Sequence, residues 1–417
     1  MTADRRRRVV ITGIGPVSPI GVGAESFWDA IVAGRSGAVA LDQLSIPFAI
    51  ETLRSRVVAR VRDEWLPDDP RRRTDRRGLF AEVALRLALA DAGLATLSGS
   101  RSAVVVGNAV GAPIEVEATF LQRERAATAL HAGDGDSALL RQLSFHTVAD
   151  ELADRCGCEG PVLTISTGCT AALDAISAAY AMIRSGEVEL AVTGSAEAPL
   201  TPMVLASFDV IGATTRRNDV PQTASRPFDR ERDGFVLGEG AAILVVEDAE
   251  RALGRGARAY AELVGFASTS NGRHMTNMAP DGRAVAHCIR MALEDARVPP
   301  DAIDHVNAHG SSTPQNDLCE TNAIKEALGR RSHAVTVNSL KSMVGHALGA
   351  SNALELAGCS LSLRHQRHFP TINLRTPGEG CDLDYVPEGA RRAVIGHLLK
   401  LSNGFSGIHS AVVMRAA

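Results

Sequence analysis

The chain reads as a layered α/β protein, and three observations predict it. Short β-branched runs such as "VVVG" and "LAVTG" alternate with longer alanine-rich segments of helical period. The runs are apolar along both faces, as strands covered by helices on either side must be. Finally, 417 residues allow more than one unit, yet no low-complexity linker separates any. Two closely packed halves are therefore expected. The charged segment "EDAERALGRGARA" ends the first series of elements and divides the chain into 1–253 and 254–417. No sequence repeat relates the two halves.

Strands are expected at Arg8–Thr12, Ala103–Val106, Val162–Ile165, Leu190–Thr193, Ala242–Val246, Tyr260–Val264, Val306–Ala308, Val335–Asn338 and Ser410–Met414. The first stops where Gly13, Gly15 and Pro16 break the apolar run. Helical spacing of apolar residues marks Ala24–Ala33, Leu79–Ala92, Thr170–Ile183, Ala284–Ala296, Leu318–Ala327 and Ala347–Leu361. The run "DDPRRRTDRRG" (68–78) reads as a solvated face, with partner docking the sharper alternative.

Composition excludes several classes. Hydrophobic residues at 45% and charged residues at 22% are ordinary for a soluble globular protein, and a net charge of -4 gives nucleic acid no claim as main partner. The N-terminal "MTADRRRRVVITGIGPVSPIGV" imitates a secretion signal, but its apolar run is broken early and no small-residue cleavage site closes it. No segment approaches the roughly 18 apolar residues of a membrane span. The seven cysteines lack paired metal spacing; Cys156 and Cys158 form a lone C-x-C, and the odd count suits a reducing cytoplasm. No metal site is expected. Of 44 basic residues only Lys325, Lys341 and Lys400 are lysines, so each raises the question of whether a guanidinium would fail there.

Four stretches carry candidate chemistry. In "LTISTGCTAALDAISAAYAMI" a strand ends in Ser-Thr-Gly and presents Cys169 where a helix begins. Unpaired N–H groups and the helix dipole there favour thiolate, the attacking species. A small buried hydrophobe is the alternative. In "DHVNAHGSSTPQNDLCE", His309 follows a strand end, where catalytic groups collect in α/β sheets. Ser311 and Thr313 suit an amide-bearing ligand arm, or the cap of a helix that Pro314 enters. "NSLKSMVGHALGASNALE" puts Lys341 and His346 on one connection, with Glu355 further along the next helix. In "LSNGFSGIHSAVVM", Gly404 precedes Phe405 just before the last strand, in a loop able to bring backbone N–H groups close to a substrate. No phosphate-binding or dinucleotide-binding glycine pattern stands in the right place.

Together these stretches resemble the β-ketoacyl carrier-protein synthases of the thiolase superfamily, over nearly the whole chain. "STGCT", "ASRPFDRERDGFVLGEGA" and "DLDYVP" look closest to the ketosynthase α subunits of bacterial type II polyketide systems. The resemblance implies a thiolase-like fold of five layers, αβαβα, from two similar halves, the first carrying the nucleophile and the second the His/Lys/His motifs. It implies a catalytic triad of Cys169, His309 and His346, supported by Lys341 and Glu320, with Glu355 placed to pair with Lys341. Ser311, Thr313 and Phe405 fall where the family binds the phosphopantetheine arm, and the backbone N–H groups of Cys169 and Phe405 form the oxyanion hole. Two histidines separate this pattern from Cys-His-Asn relatives that prime chains from coenzyme A. They also separate it from thiolases, whose second cysteine is replaced here by the stretch Ser406–His409.

The implied reaction is decarboxylative Claisen condensation of an acyl chain on Cys169 with malonyl carrier protein. The alternatives are a priming or decarboxylating enzyme, a cysteine thioester hydrolase, and a non-catalytic chain-length-factor-type partner; Cys169 speaks against the last. No cofactor is expected beyond the phosphopantetheine of the acyl carrier protein. The expected partners are that acidic carrier, with Arg216, Arg217 and Arg226 as candidate contacts, and either a second copy or a chain-length factor in a dimer. Val110 falls where the family's acyl pocket meets the dimer interface. One departure stands out: the family's Gly-Phe-Gly-Gly reads Gly404-Phe405-Ser406-Gly407, and a positive φ at Ser406 would strain serine.

Overall fold

The computed structural model describes residues 6–43, 52–97, 99, 101–125 and 144–417. Ten strands organise it: β1 (Val9–Ser18), β2 (Ser102–Gly107), β3 (Val162–Ile165), β4 (Leu190–Glu197), β5 (Gly240–Asp248), β6 (Ala261–Ser270), β7 (His305–Asn307), β8 (Thr336–Asn338), β9 (His397–Asn403) and β10 (Ile408–Ala416). Their spatial order is β3-β2-β4-β5-β1 followed by β6-β10-β9-β7-β8.

Each half therefore has its own strands in the order third, second, fourth, fifth, first. The second strand runs parallel to the third and fourth, and the remaining pairs are antiparallel, in both halves. The halves join where Val9–Ile11 of β1 pairs with Ala261–Leu263 of β6. A duplication absent from the sequence is thus plain in the topology.

Helices α1 (Arg76–Ala92), α2 (Ala171–Ser185), α3 (Arg283–Ala296), α4 (Pro314–Leu328) and α5 (Ser351–His365) complete the layers. One apolar cluster joins α2 and α5 to residues of both strand arrays, from Leu244 to Leu398. A second packs α1 on the outer face of the first array, and a third packs α3 and α4 on that of the second. Five layers, αβαβα, result. The middle layer is shielded from the surface: α5 buries every residue from Ser351 to Leu363.

Three readings of the sequence need correction. First, β1 runs through Gly13, Gly15 and Pro16 to Ser18. Those glycines admit α1: a Cβ would lie 2.2 Å from the Ala88 carbonyl oxygen at Gly13 and 2.0 Å from that of Ala84 at Gly15. Second, β9 was not expected, because the polar His397 and Lys400 interrupt its apolar pattern. Third, the basic run at 68–78 is only partly solvated. Arg76 and Arg77 are buried, and Arg76 pairs with Glu239 at 2.8 Å and Asp63 at 2.6 Å.

Candidate active site

Strand β3 ends at Ile165, and a tight turn, Gly168–Thr170, precedes α2. Gly168 takes φ 65°, a left-handed corner that suits glycine. Asp174, in the first turn of α2, pins the corner by accepting hydrogen bonds from Thr167 at 2.5 Å, Thr170 at 2.8 Å and Ser410 at 2.6 Å. The carbonyl of Cys169 accepts from Asn352 Nδ2 of α5 at 2.6 Å. The cysteine is thus fixed from both halves, with its side chain on the wall of a cavity of about 300 Å³.

His309, Ser311, Thr313, His346 and Phe405 line the same cavity. The imidazoles of His309 and His346 meet edge to face, centroids 5.3 Å apart, and Phe235 steadies His346 from another side at 5.2 Å. Ser351 bonds His346 Nδ1 at 2.8 Å. Burial, with the nearby Lys341 charge, holds both imidazoles well below their ordinary range, so both are neutral.

Glu320 grips the backbone beside the ring: its carboxylate accepts from the N–H of His309 at 2.6 Å and of Gly310 at 2.8 Å. Burial pushes its carboxyl up to about 7. Lys341 donates to the His309 carbonyl at 2.8 Å and to Glu355 Oε1 at 2.5 Å. Both Lys341 and Glu355 are buried, and desolvation lowers the lysine despite its anionic partner. Ser311 and Thr313 share a 2.9 Å hydrogen bond, and Thr313 also caps α4 by accepting from the Asn316 N–H.

The standing thiolate expected at Cys169 is not found. Burial pushes the thiol up to about 11, although the Phe405 backbone N–H, Lys341 and the cysteine's own N–H pull the other way. Desolvation outweighs the helix terminus, so Cys169 rests as a thiol on the cavity that the two neutral imidazoles also line.

Comparison with known proteins fits this geometry. Residues 6–252 match the family Beta-ketoacyl synthase, N-terminal domain, and residues 260–375 the corresponding C-terminal domain. The chain belongs to the β-ketoacyl synthase family. It is 43% identical to the tetracenomycin polyketide synthase ketoacyl synthase alpha subunit of Streptomyces glaucescens, over 99% of this chain and 98% of that one. Among solved structures it superposes on a type II PKS acyl-carrier protein complex with its ketosynthase bound to the hexaketide (TM-score 0.91, 40% identity, 99% of this chain and 100% of that one). It also superposes on the ishigamide ketosynthase/chain length factor (TM-score 0.89, 33% identity, 99% and 100%). This β-ketoacyl synthase is an acyltransferase of the condensing type.

The reading of the sequence missed several residues of the synthase site. Asp174, Asn352 and Ser402 hold the Cys169 turn, and Asn316 and Asn403 join through a 3.0 Å bond on the cavity wall. Lys400 is fully buried and reaches Glu355 Oε2 at 2.9 Å. The bias toward arginine was the available signal: two of the three lysines flank one buried carboxylate. Other candidates lie apart. Arg226 is buried against Glu231 and the Thr223 carbonyl, so it offers no docking surface, whereas Arg216 is exposed. Val110 packs against the Phe235–Leu348 cluster. Cys156 and Cys158 are free, and no cluster of three metal-ligating side chains occurs among the described residues. No helix among them is long and apolar enough to cross a membrane.

Proposed function

We propose that Cys169 receives the acyl chain and that His309 and His346 drive decarboxylation of the malonyl extender. The observation that carries this is their convergence, with the Phe405 loop, on one cavity backed by Lys341 and Glu320. In the first half-reaction the sulfur attacks the thioester carbonyl of an acyl carrier. The thiol proton passes to an imidazole, the carrier's C–S bond breaks, and the proton leaves on the departing thiol. Backbone N–H groups of Cys169 and Phe405 bind the transient oxyanion; loss of one such donor typically costs about 2.7–4 kcal/mol.

In the second half-reaction the C–CO₂ bond of malonyl carrier breaks and its electron pair enters an enolate. Neutral His309 and His346 donate hydrogen bonds to the enolate oxygen. The enolate carbon then attacks the acyl-Cys169 carbonyl, forming C–C and breaking C–S, and the released thiolate takes a proton from solvent to restore the cysteine. Lys341 and Glu320 position His309 through its own backbone, Glu355 fixes Lys341, and Ser311 with Thr313 receives the pantetheine amides. The two halves, 1–253 and 254–417, supply the nucleophile and the histidines respectively.

The reading extends to partners and setting. The chain extends a polyketide on an acyl carrier protein, needs no bound cofactor beyond the carrier's phosphopantetheine, works in the cytoplasm and pairs with a homologous chain. The likeness to the ketosynthase/chain length factor supports that pairing, and β3, last in its sheet with Leu163 exposed, supports it too. Intact-mass measurement after incubation with acyl carrier, then with malonyl carrier, tests the function. Acylation of wild type but not of Cys169→Ala, followed by a lengthened β-ketoacyl carrier, is expected. Release of free acid alone would make the protein a hydrolase.

A further inference from the structure

Lys400 is outside the cavity wall and yet belongs to its electrostatics. On β9 it is registered with Asn307 of β7 and Val412 of β10, and its ammonium enters the middle layer. There it forms an ion pair with Glu355 Oε2 at 2.9 Å, without hydrogen-bond geometry, while Lys341 donates a hydrogen bond to Oε1 at 2.5 Å. It also donates to the Leu401 carbonyl. All three charged side chains are buried. One lysine already neutralises Glu355, and burying a second ammonium carries a desolvation penalty of several kcal/mol. An apolar residue of similar length would fill the volume without it.

We propose that Lys400 is a positioning residue for the condensation: it fixes the second oxygen of Glu355, which keeps Lys341 on the His309 carbonyl, and it adds one positive charge behind the imidazole pair. This rests on the condensing reading given above. The ionisable groups around it are Glu355 and Cys359 on α5, Lys341 after β8, His309 from the β7–α4 connection, Glu320 on α4, and His346. Glu355 is spent between two lysines, Glu320 is turned to backbone amides, and burial keeps the Cys359 thiol protonated. The imidazoles thus face surplus positive charge and resist protonation. Neutral rings are the form that donates to an enolate and leaves its charge on the malonyl-derived carbon.

The test is the pH dependence of malonyl-carrier decarboxylation by the full chain with its partner, for wild type, Lys400→Met, Lys400→Gln and Lys400→Arg. Thermal melting and circular dichroism report folding. In Lys400→Met and Lys400→Gln, kcat falls about tenfold with KM moving less than about threefold, and the acid limb rises by roughly one pH unit. Lys400→Arg keeps the limb where wild type has it. A folded Lys400→Met or Lys400→Gln with an unmoved limb overturns the proposal. If neither folds, a wild-type limb at or above the ordinary imidazole value of about 6.5 overturns it instead. Wild type inactive toward malonyl carrier at every pH removes the condensing reading, and this proposal with it.

Discussion

In the first half of the molecule, β3 leads through Gly168–Thr170 into α2; in the second, β8 leads through Lys341–Val344 and Leu348–Ala350 into α5. The junctions are equivalent in topology and opposite in chemistry. The first is a glycine corner that brings one cysteine to a cavity, held by hydroxyls on Asp174. The second is a dense polar core in which Lys341, His346, Glu355 and Lys400 are all buried. A nucleophile needs a sharp, accessible corner with N–H donors nearby, whereas acid–base groups need low dielectric and fixed partners. On the proposed function, one duplicated scaffold supplies both because each copy uses its central junction differently.

The division of labour can be broken directly. Cys169→Ala should lose condensation by about 10⁴-fold or more yet still decarboxylate malonyl carrier, since the histidines and the Phe405 loop remain. His309→Ala should do the reverse, losing decarboxylation by about 10²–10⁴-fold while Cys169 still acquires an acyl group. Carbon dioxide release and intact mass separate the two. A Cys169→Ala enzyme that no longer decarboxylates would show that the halves do not act separately.

Two buried glutamates sharpen the contrast. Glu355 in the second half forms ion pairs with two lysines, whereas Glu197, at the end of β4, takes the Ala109 N–H at 2.5 Å. Removing the shared anion strands two buried lysines, so Glu355→Gln should destabilise by about 3–5 kcal/mol. Glu197 behaves differently. Burial raises its carboxyl to about 7, above the unfolded value, so the folded state binds the extra proton between roughly pH 4.3 and 7. Stability therefore falls as pH rises through that window, and the cost is complete above it. Glu197→Gln cannot ionise and should gain on the order of 2 kcal/mol at pH 8, and less at pH 5. Urea melts at the two pH values check this; an equal effect at both would mean the gain is not proton-linked. Glu320 is displaced in the same direction and keeps part of the slope.

What could be read in advance follows from where the signals are local. Cys169, His309 and His346 stand beside glycines after strand ends, with Lys341 on the same connection as His346, and that punctuation is visible in one dimension. Lys400 stands in mid-strand with no local mark, and its meaning depends on Glu355, 45 positions away in the chain and adjacent in space. Asn352 is one polar residue in a helix whose burial on all sides erases any periodicity. Gly13 and Gly15 misled because a glycine that admits a helix against a strand looks, in sequence, like one that ends the strand. The repeat of the two halves survives in strand order and direction, which are set by layer packing and not by particular residues.

The smallest expected effect is at Ser406, where the loops of the two chemistries meet. Its φ of 67° is left-handed, and Gly407 beside it has φ 74°. The Ser406 N–H donates to the Met275 carbonyl at 2.5 Å, and the Phe405 ring stands 6.3 Å from Phe208 across the cavity. Serine in this conformation costs about 1–2 kcal/mol relative to an unstrained residue. Ser406→Gly removes that cost but gives the unfolded chain freedom worth about 0.4–1 kcal/mol, so net stability should rise by no more than about 1.6 kcal/mol. The loop then leaves its present geometry more easily, and acylation of Cys169 by bulky acyl carriers should quicken by about twofold, the equivalent of roughly 0.4 kcal/mol of barrier. Melting temperature and single-turnover acylation measure the two effects. A loss of stability in Ser406→Gly would mean that the serine side chain, not its backbone strain, sets the loop.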